Sequence, residues 1–443
     1  MKRHAWLLGA ALALGCGGGK PANPDAGTNP QTDAGPTETP FARLVVDTGP
    51  SELHAISSIA MAVGPEDRIG IAYFVKVNDK DFELRYREVK DGQVQQTAEK
   101  VATVQRVYGV SLAFSSTGQP ALSYLGGGSD QSIFWFQSDL AVSYRSANGT
   151  WAENIPARRG DEALAGNPVS DTGYLVGINP ALAFSGSQAL VVYRDCHNGQ
   201  SPQQDWAGSD VELVQGGPTT WQRRVVAAGG NGGEGEKPAY GGRLQMVMAD
   251  GQPALVFDQA FGAADAPGQN VFFQRRNTDG TTWTPPVKVQ SVGNTMLGAS
   301  LAHDATVGFG IAAVDRNTDK LTFTSCAGTS GTKCAAAQDW TLPDPVYQSG
   351  SGGWYPSLAF DPATHDPSIA FQICSLESGR NEGSCSPSDD ALVIATRVEG
   401  QWRETTVDFD GGWSPKLAFL STGQRVVLYR SGATKALTLA VER

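Results

Sequence analysis

The chain has 443 residues, with 34 Lys and Arg against 45 Asp and Glu for a formal charge of −11, and 53 Gly and 25 Pro beside a 40% hydrophobic fraction. An acidic chain whose basic residues are scattered rather than clustered argues against duplex nucleic acid as a partner. High Gly and Pro at ordinary hydrophobicity suits an all-β protein with many turns.

Met1-Lys2-Arg3 is positively charged, and Ala5 to Leu14 is apolar but too short to span a bilayer, so residues 1–15 read as an export signal. Leu12-Ala13-Leu14-Gly15-Cys16 resembles the lipobox of bacterial lipoproteins, which implies lipid attachment at Cys16. Ala13 stands where the usual pattern has Leu, so a plainly secreted protein is the other reading. Gly17 after the cysteine implies the outer membrane if bacterial sorting rules apply, with the membrane touched only through the lipid. Residues 16–40 show no apolar periodicity and read as a flexible tether.

From there a short pattern recurs to the C-terminus. Its first strand appears in seven copies, at Ser58-Ile59-Ala60-Met61, Ser111-Leu112-Ala113-Phe114, Ala181-Leu182-Ala183-Phe184, Arg243-Leu244-Gln245-Met246, Ser300-Leu301-Ala302-His303, Ser357-Leu358-Ala359-Phe360 and Lys416-Leu417-Ala418-Phe419. A turn and a second apolar run follow each copy, most ending on an aromatic such as Tyr73, Tyr124, Tyr193 or Tyr429. A third run comes next, and a fourth opens at Trp151, Trp221, Trp283, Trp340 and Trp402. Four antiparallel strands repeated seven times predict an all-β, seven-bladed β-propeller over 41–443. The last unit lacks its fourth strand; Phe41 to Asp47 aligns with Trp402 to Asp408 and supplies it, closing the ring and removing a sheet edge. On this reading truncation before Leu44 is tolerated and truncation beyond Asp47 is not.

Gly118-Gln119-Pro120, Gly251-Gln252-Pro253, Tyr144-Arg145-Ser146 and Gly149-Thr150-Trp151 make the array similar to the sialidase-like, BNR-repeat-related seven-bladed propellers of secreted bacterial proteins. The sialidase branch carries Asp boxes, and Asn277-Thr278-Asp279-Gly280-Thr281-Thr282-Trp283 is a degenerate one, its aspartate one residue too near the tryptophan. Such boxes are structural turns. The resemblance does not bring the activity with it: the family's Arg-Ile-Pro segment is missing, and no Tyr/Glu nucleophile pair or acid aspartate is placed by motif.

Connections after each second strand and into each first strand share one face, and they are the long ones. Three residues before each repeat stand Tyr108, Tyr240, Trp354 and Trp413, expected by symmetry to encircle the channel mouth. They either stack on a ligand or pack between blades. Arg243 and Lys416 replace small residues of the repeat, and Arg194 and Arg430 end second strands on the same face; the three arginines resemble the carboxylate-binding cluster of sialidases, structural or surface ion pairing being the other reading.

Cys326 with Cys334, and Cys374 with Cys385, bracket local loops as expected of disulfides in an oxidising envelope. Cys196 is left over at the repeat position of Cys374, so exchanged pairing requires the two loops to meet. Asp195-Cys196-His197 is a weak catalytic signal, since strand neighbours point to opposite sides. No HExxH, CxxC or phosphate loop occurs, so no cofactor or metal is expected, calcium at loop carboxylates such as Asp389 and Asp390 being the exception left open. These observations favour a non-catalytic envelope lipoprotein binding a protein or glycan on its loop face. The alternatives are a sialidase-like hydrolase and a structural envelope component, with the apolar run Ile133 to Phe136 as a partner contact.

Overall fold

The computed structural model describes residues 38–48, 59–129, 137–159, 175–197, 208–229, 239–261, 270–293, 298–318, 320–328, 333–348, 351–375 and 390–443. Cys16, Ile133 to Phe136, Cys385 and Asp389 lie outside them. The described chain forms seven antiparallel sheets, each built from strands consecutive in sequence except the last. This is the expected seven-bladed propeller. The innermost strands are Ile59–Val63, Val110–Phe114, Leu175–Ser185, Ala239–Ala249, Ala299–Asp304, Ser351–Phe360 and Gly412–Phe419, in blades 1 to 7. Six blades are four-stranded, and blade 1 adds the short pair Gln93–Val94.

Alternating apolar residues on both faces of each sheet let neighbouring blades share their cores. Ala312, Val314 and Leu321 of blade 5 form one cluster with Ile369, Phe371 and Val393 of blade 6. Tight approach at the loop end requires glycine. At Gly177, with φ +110°, a Cβ would lie 2.7 Å from Leu140 Cα of blade 2, and at Gly353 it would lie 2.6 Å from Leu321 Cβ of blade 5.

The outer strands depart from expectation in two blades. In blade 4 Trp283 makes only an isolated bridge with Arg276, and the strand starts at Val287. Pro285 and Pro286 intervene and have no N–H to donate. In blade 5 Trp340 ends a short 3₁₀ turn, Ala337–Asp339, and the strand runs Asp344–Tyr347 after a loop stapled by the Cys326–Cys334 disulfide.

The N-terminal strand Phe41–Asp47 pairs antiparallel with Leu437–Glu442, Phe41 opposite Glu442 and Leu44 opposite Leu439. It is clamped on both flanks. Arg43 donates to Asp408 of blade 6 at 2.9 Å, and the Tyr73 hydroxyl of blade 1 donates to Asp47 at 2.6 Å. Phe41 is 2% exposed and packs with Val407, Leu417 and Val427. The limit of tolerated truncation therefore lies before Phe41, three residues earlier than the repeat alignment alone suggests, because Phe41 and Arg43 already contribute to the core and to a clamp.

A second set of contacts ties the blades at the axis. The first-position serine of the repeat accepts the backbone N–H of the leucine in the next blade: Ser111 from Leu182, Ser300 from Leu358 and Ser357 from Leu417, each at 2.9 Å. In blade 4, where Arg243 holds that position, Gln245 Oε1 takes the role and accepts from Leu301 at 2.9 Å. Each clip satisfies an inner-strand donor that faces another sheet rather than its own ladder.

Two outcomes follow. Ser300→Ala and Ser357→Ala should each cost about 1–2 kcal/mol in denaturant unfolding, because a largely buried N–H loses its acceptor, whereas Ser116→Ala at an exposed turn position should cost under about 0.5 kcal/mol. Removal of residues 1–38 should leave the melting temperature unchanged, and removal through Asp47 should abolish cooperative unfolding measured by calorimetry.

Candidate functional site

The innermost strands of all seven blades surround one central cavity of about 250 Å³. Its wall is mostly backbone and small or apolar side chains, including Met61, Ser111, Pro180, Ser300 and Ser357. Two cations interrupt this wall, Arg243 from blade 4 and Lys416 from blade 7, and among the described lining residues there is no carboxylate or histidine. The ring half-buries Lys416, which remains part of the cavity lining. Burial, and secondarily the Arg243 charge, bring the Lys416 ammonium down to about 8. The backbone of Arg243 is fixed by its N–H donating to Asp258 Oδ1 at 2.5 Å. Two positive groups in one narrow space are electrostatically complementary to an anion.

The other expected site residues are placed elsewhere. None of Tyr108, Tyr240, Trp354 and Trp413 lines the cavity. Strand registers shift between Tyr240 and Leu244, Trp354 and Ser357, and Trp413 and Lys416, so the residue three before the repeat leaves the alternation that would aim it at the axis. Left-handed backbone at Tyr355 (φ 56°) and Ser414 (φ 54°) marks the same bulges. Trp354 is 1% exposed, in the core between blades 5 and 6. Tyr240 packs edge-on to Phe257 and Phe272, with ring centroids at 5.3 and 5.2 Å. Tyr108 lies against Leu175, Ile178 and Cys196, and burial raises its hydroxyl pKa. The Trp413 ring carries the Lys435 ammonium at 4.1 Å. The expected ring of aromatics about the mouth is thus replaced by four separate packing environments.

Arg194 and Arg430 are likewise not in the cavity wall. Arg194 is 4% exposed, its stem close to Gly241 of blade 4, and Arg430 is 8% exposed and donates from Nε to the Lys435 carbonyl at 3.3 Å.

Carboxylates at the loop end of the third strands have structural work. Asp139 accepts the Arg159 N–H at 3.0 Å, and Asp210 accepts the Gly229 N–H at 2.6 Å. Both fix the chain as it leaves the fourth strand. Asp390 is packed where a Cβ on Gly411 would approach its own Cβ to 2.4 Å. Among the described residues, no group of three or more His, Cys, Asp or Glu gathers as a metal site. In the degenerate box, Asp279 accepts the N–H groups of Thr281 and Thr282 at 2.7 and 2.9 Å, and these bonds, led by those from Thr282, lower its pKa to about 2. It is a turn.

Cys326–Cys334 is a disulfide with Cα atoms 5.9 Å apart. Cys374 is also disulfide-bonded, its partner lying outside the described residues, and Cys196 retains a buried thiol in an apolar cluster. Cys374 and Cys196 therefore do not pair with each other.

The serine and glutamine clips were missed by sequence reasoning. The signal was present: Ser occupies the first position in four of the seven copies, always before Ile or Leu.

No family model and no curated protein matches the sequence. Among solved structures, the Trypanosoma rangeli sialidase in complex with sialic acid is similar at 9% identity and a TM-score of 0.45 over 86% of this chain and 59% of that one. The Penicillium chrysogenum alpha-L-arabinanase complexed with arabinobiose aligns at 13% identity and 0.43 over 90% and 97%. The alpha-L-arabinofuranosidase of Fusarium graminearum in complex with an iminosugar inhibitor aligns at 10% and 0.46 over 91% and 98%. At these values the likeness is one of fold.

The lowered Lys416 pKa has a sign. Below about pH 8 the folded state holds a buried charge that the unfolded chain solvates, and this cost is relieved as pH rises from 8 towards 10.5. The stability difference of Lys416→Met over the wild type should therefore be greatest at neutral pH and decline steadily between pH 8 and 10.5, as read by thermal melts across that range.

Proposed function

We propose that this chain is a non-catalytic lipoprotein of the bacterial cell envelope whose propeller binds a protein or glycan partner through its loop face, engaging a carboxylate of that partner at the axis. The observation that carries this is the cavity wall itself, to which Arg243 and Lys416 both contribute and whose described lining residues include no Asp or Glu. Glycosidic hydrolysis uses two carboxyl groups facing one bond. A cationic, carboxylate-poor wall suits retention of an anion instead.

Phe41 enters at the short-turn end, beside Glu442, and Asp47 leaves at the loop end. The long connections, carried on a rigid scaffold, suit the loop face to contact with a partner.

The alternative is a sialidase-like, glycan-active hydrolase. It requires a carboxylate pair at the cavity, which the described lining residues do not include. A third reading is a structural component of an envelope complex, held through the run Ile133 to Phe136.

A glycan array probed with the purified chain, run beside a fluorogenic glycoside screen, separates these readings. Binding to carboxylate-bearing glycans that falls at least about tenfold in Arg243→Ala, with no glycoside turned over, is the expected result. Turnover abolished by Arg243→Ala would establish the hydrolase, and an array without any bound glycan would point to a protein partner.

A further inference from the structure

A second cationic site lies away from the axis, where blade 4 meets blade 5 at the short-turn end. Arg275, in the third strand of blade 4, is 1% exposed. Its backbone is satisfied: the N–H donates to Thr284 Oγ1 at 3.1 Å and the carbonyl accepts from Thr284 N at 2.9 Å. Its side chain is not. Nε and Nη1 are buried with no acceptor, and Nε2 of His303, in the first strand of blade 5, is buried with no partner either.

Both pack against the same ring, Phe309. The Arg275 guanidinium stands 5.4 Å above the Phe309 centroid, and the His303 ring is 4.7 Å from it. Phe273 packs edge-on to Phe309, with ring centroids 5.0 Å apart. The Arg275 charge also acts on His303, and burial lowers the pKa of both. An arginine stays protonated in such a place, and an aromatic face offsets only part of the cost of enclosing it. Asp250 and Asp304 act on His303, and Asp250 on Arg275, through space. Asp304 is committed to His365 at 2.9 Å, and Asp250 is exposed.

We infer that Arg275 and His303 together hold a small monovalent inorganic anion at the junction of blades 4 and 5. The anion accepts from Arg275 Nε and Nη1 and from His303 in its Nε2–H tautomer. A single negative charge neutralises one guanidinium beside a neutral imidazole, whereas a divalent ion would leave excess charge among phenylalanine rings. The anion joins two blades and stabilises the folded ring by mass action.

The test uses the whole chain with chloride as the probe. Thermal melts at constant ionic strength, with gluconate exchanged for chloride from about 5 to about 500 mM, should raise the wild-type melting temperature by roughly 4 °C. Arg275→Met should melt at the same temperature throughout the series. Wild-type crystals soaked in bromide supply a readout that does not depend on that variant folding: an anomalous peak within hydrogen-bond distance of Arg275 Nε is expected. Equal wild-type melting temperatures in chloride and gluconate, or an ordered water in place of bromide at Arg275, would overturn the inference.

Discussion

A propeller has no single core, so the constraint on which everything else rests is the contact between one blade and the next at the axis. There the inner strands are too far apart to pair as a sheet, yet their backbone donors face one another. The hydroxyls of Ser111, Ser300 and Ser357 and the amide of Gln245 resolve this by accepting a leucine N–H from the following blade. A small polar side chain at this one position sets the spacing of the ring, and therefore the width of the cavity it encloses.

Arg243 and Lys416 acquire their meaning against that requirement. Each occupies a position where a serine elsewhere joins two blades, and neither can accept a hydrogen bond. Blade 4 recovers its clip through Gln245, two residues on. A substitution that gives up an interblade bond, encloses a charge and places it beside a like charge works against stability at every step. Such departures from local economy are where function is expected. The cation pair is therefore where the proposed binding role is most directly open to test.

The architecture was legible because a propeller writes its period into the chain. The Ser-Leu-Ala-Phe strand, the aromatic ending the second strand and the tryptophan opening the fourth recur with enough regularity to count blades and to assign Phe41 to Asp47 to the last one. Arg243 and Lys416 were legible for the same reason, as exceptions to a repeat. The aromatics were not. Tyr240, Trp354 and Trp413 share a repeat position, but bulges between each of them and the repeat redirect the strand, and a bulge leaves no periodic mark. The junction of Arg275 and His303 was invisible for another reason: it joins residues of different blades and different strand positions, which only the ring brings together.

The central claim is that the axial cations retain an acidic partner without cleaving it. Its most direct test is time-resolved proton NMR of a carboxylate-bearing oligosaccharide incubated with the purified chain. The account predicts line broadening of the acidic residue's signals that disappears with Lys416→Met, and an oligosaccharide spectrum otherwise unchanged over days. Growth of a new reducing-end anomeric signal in the wild-type sample would contradict it.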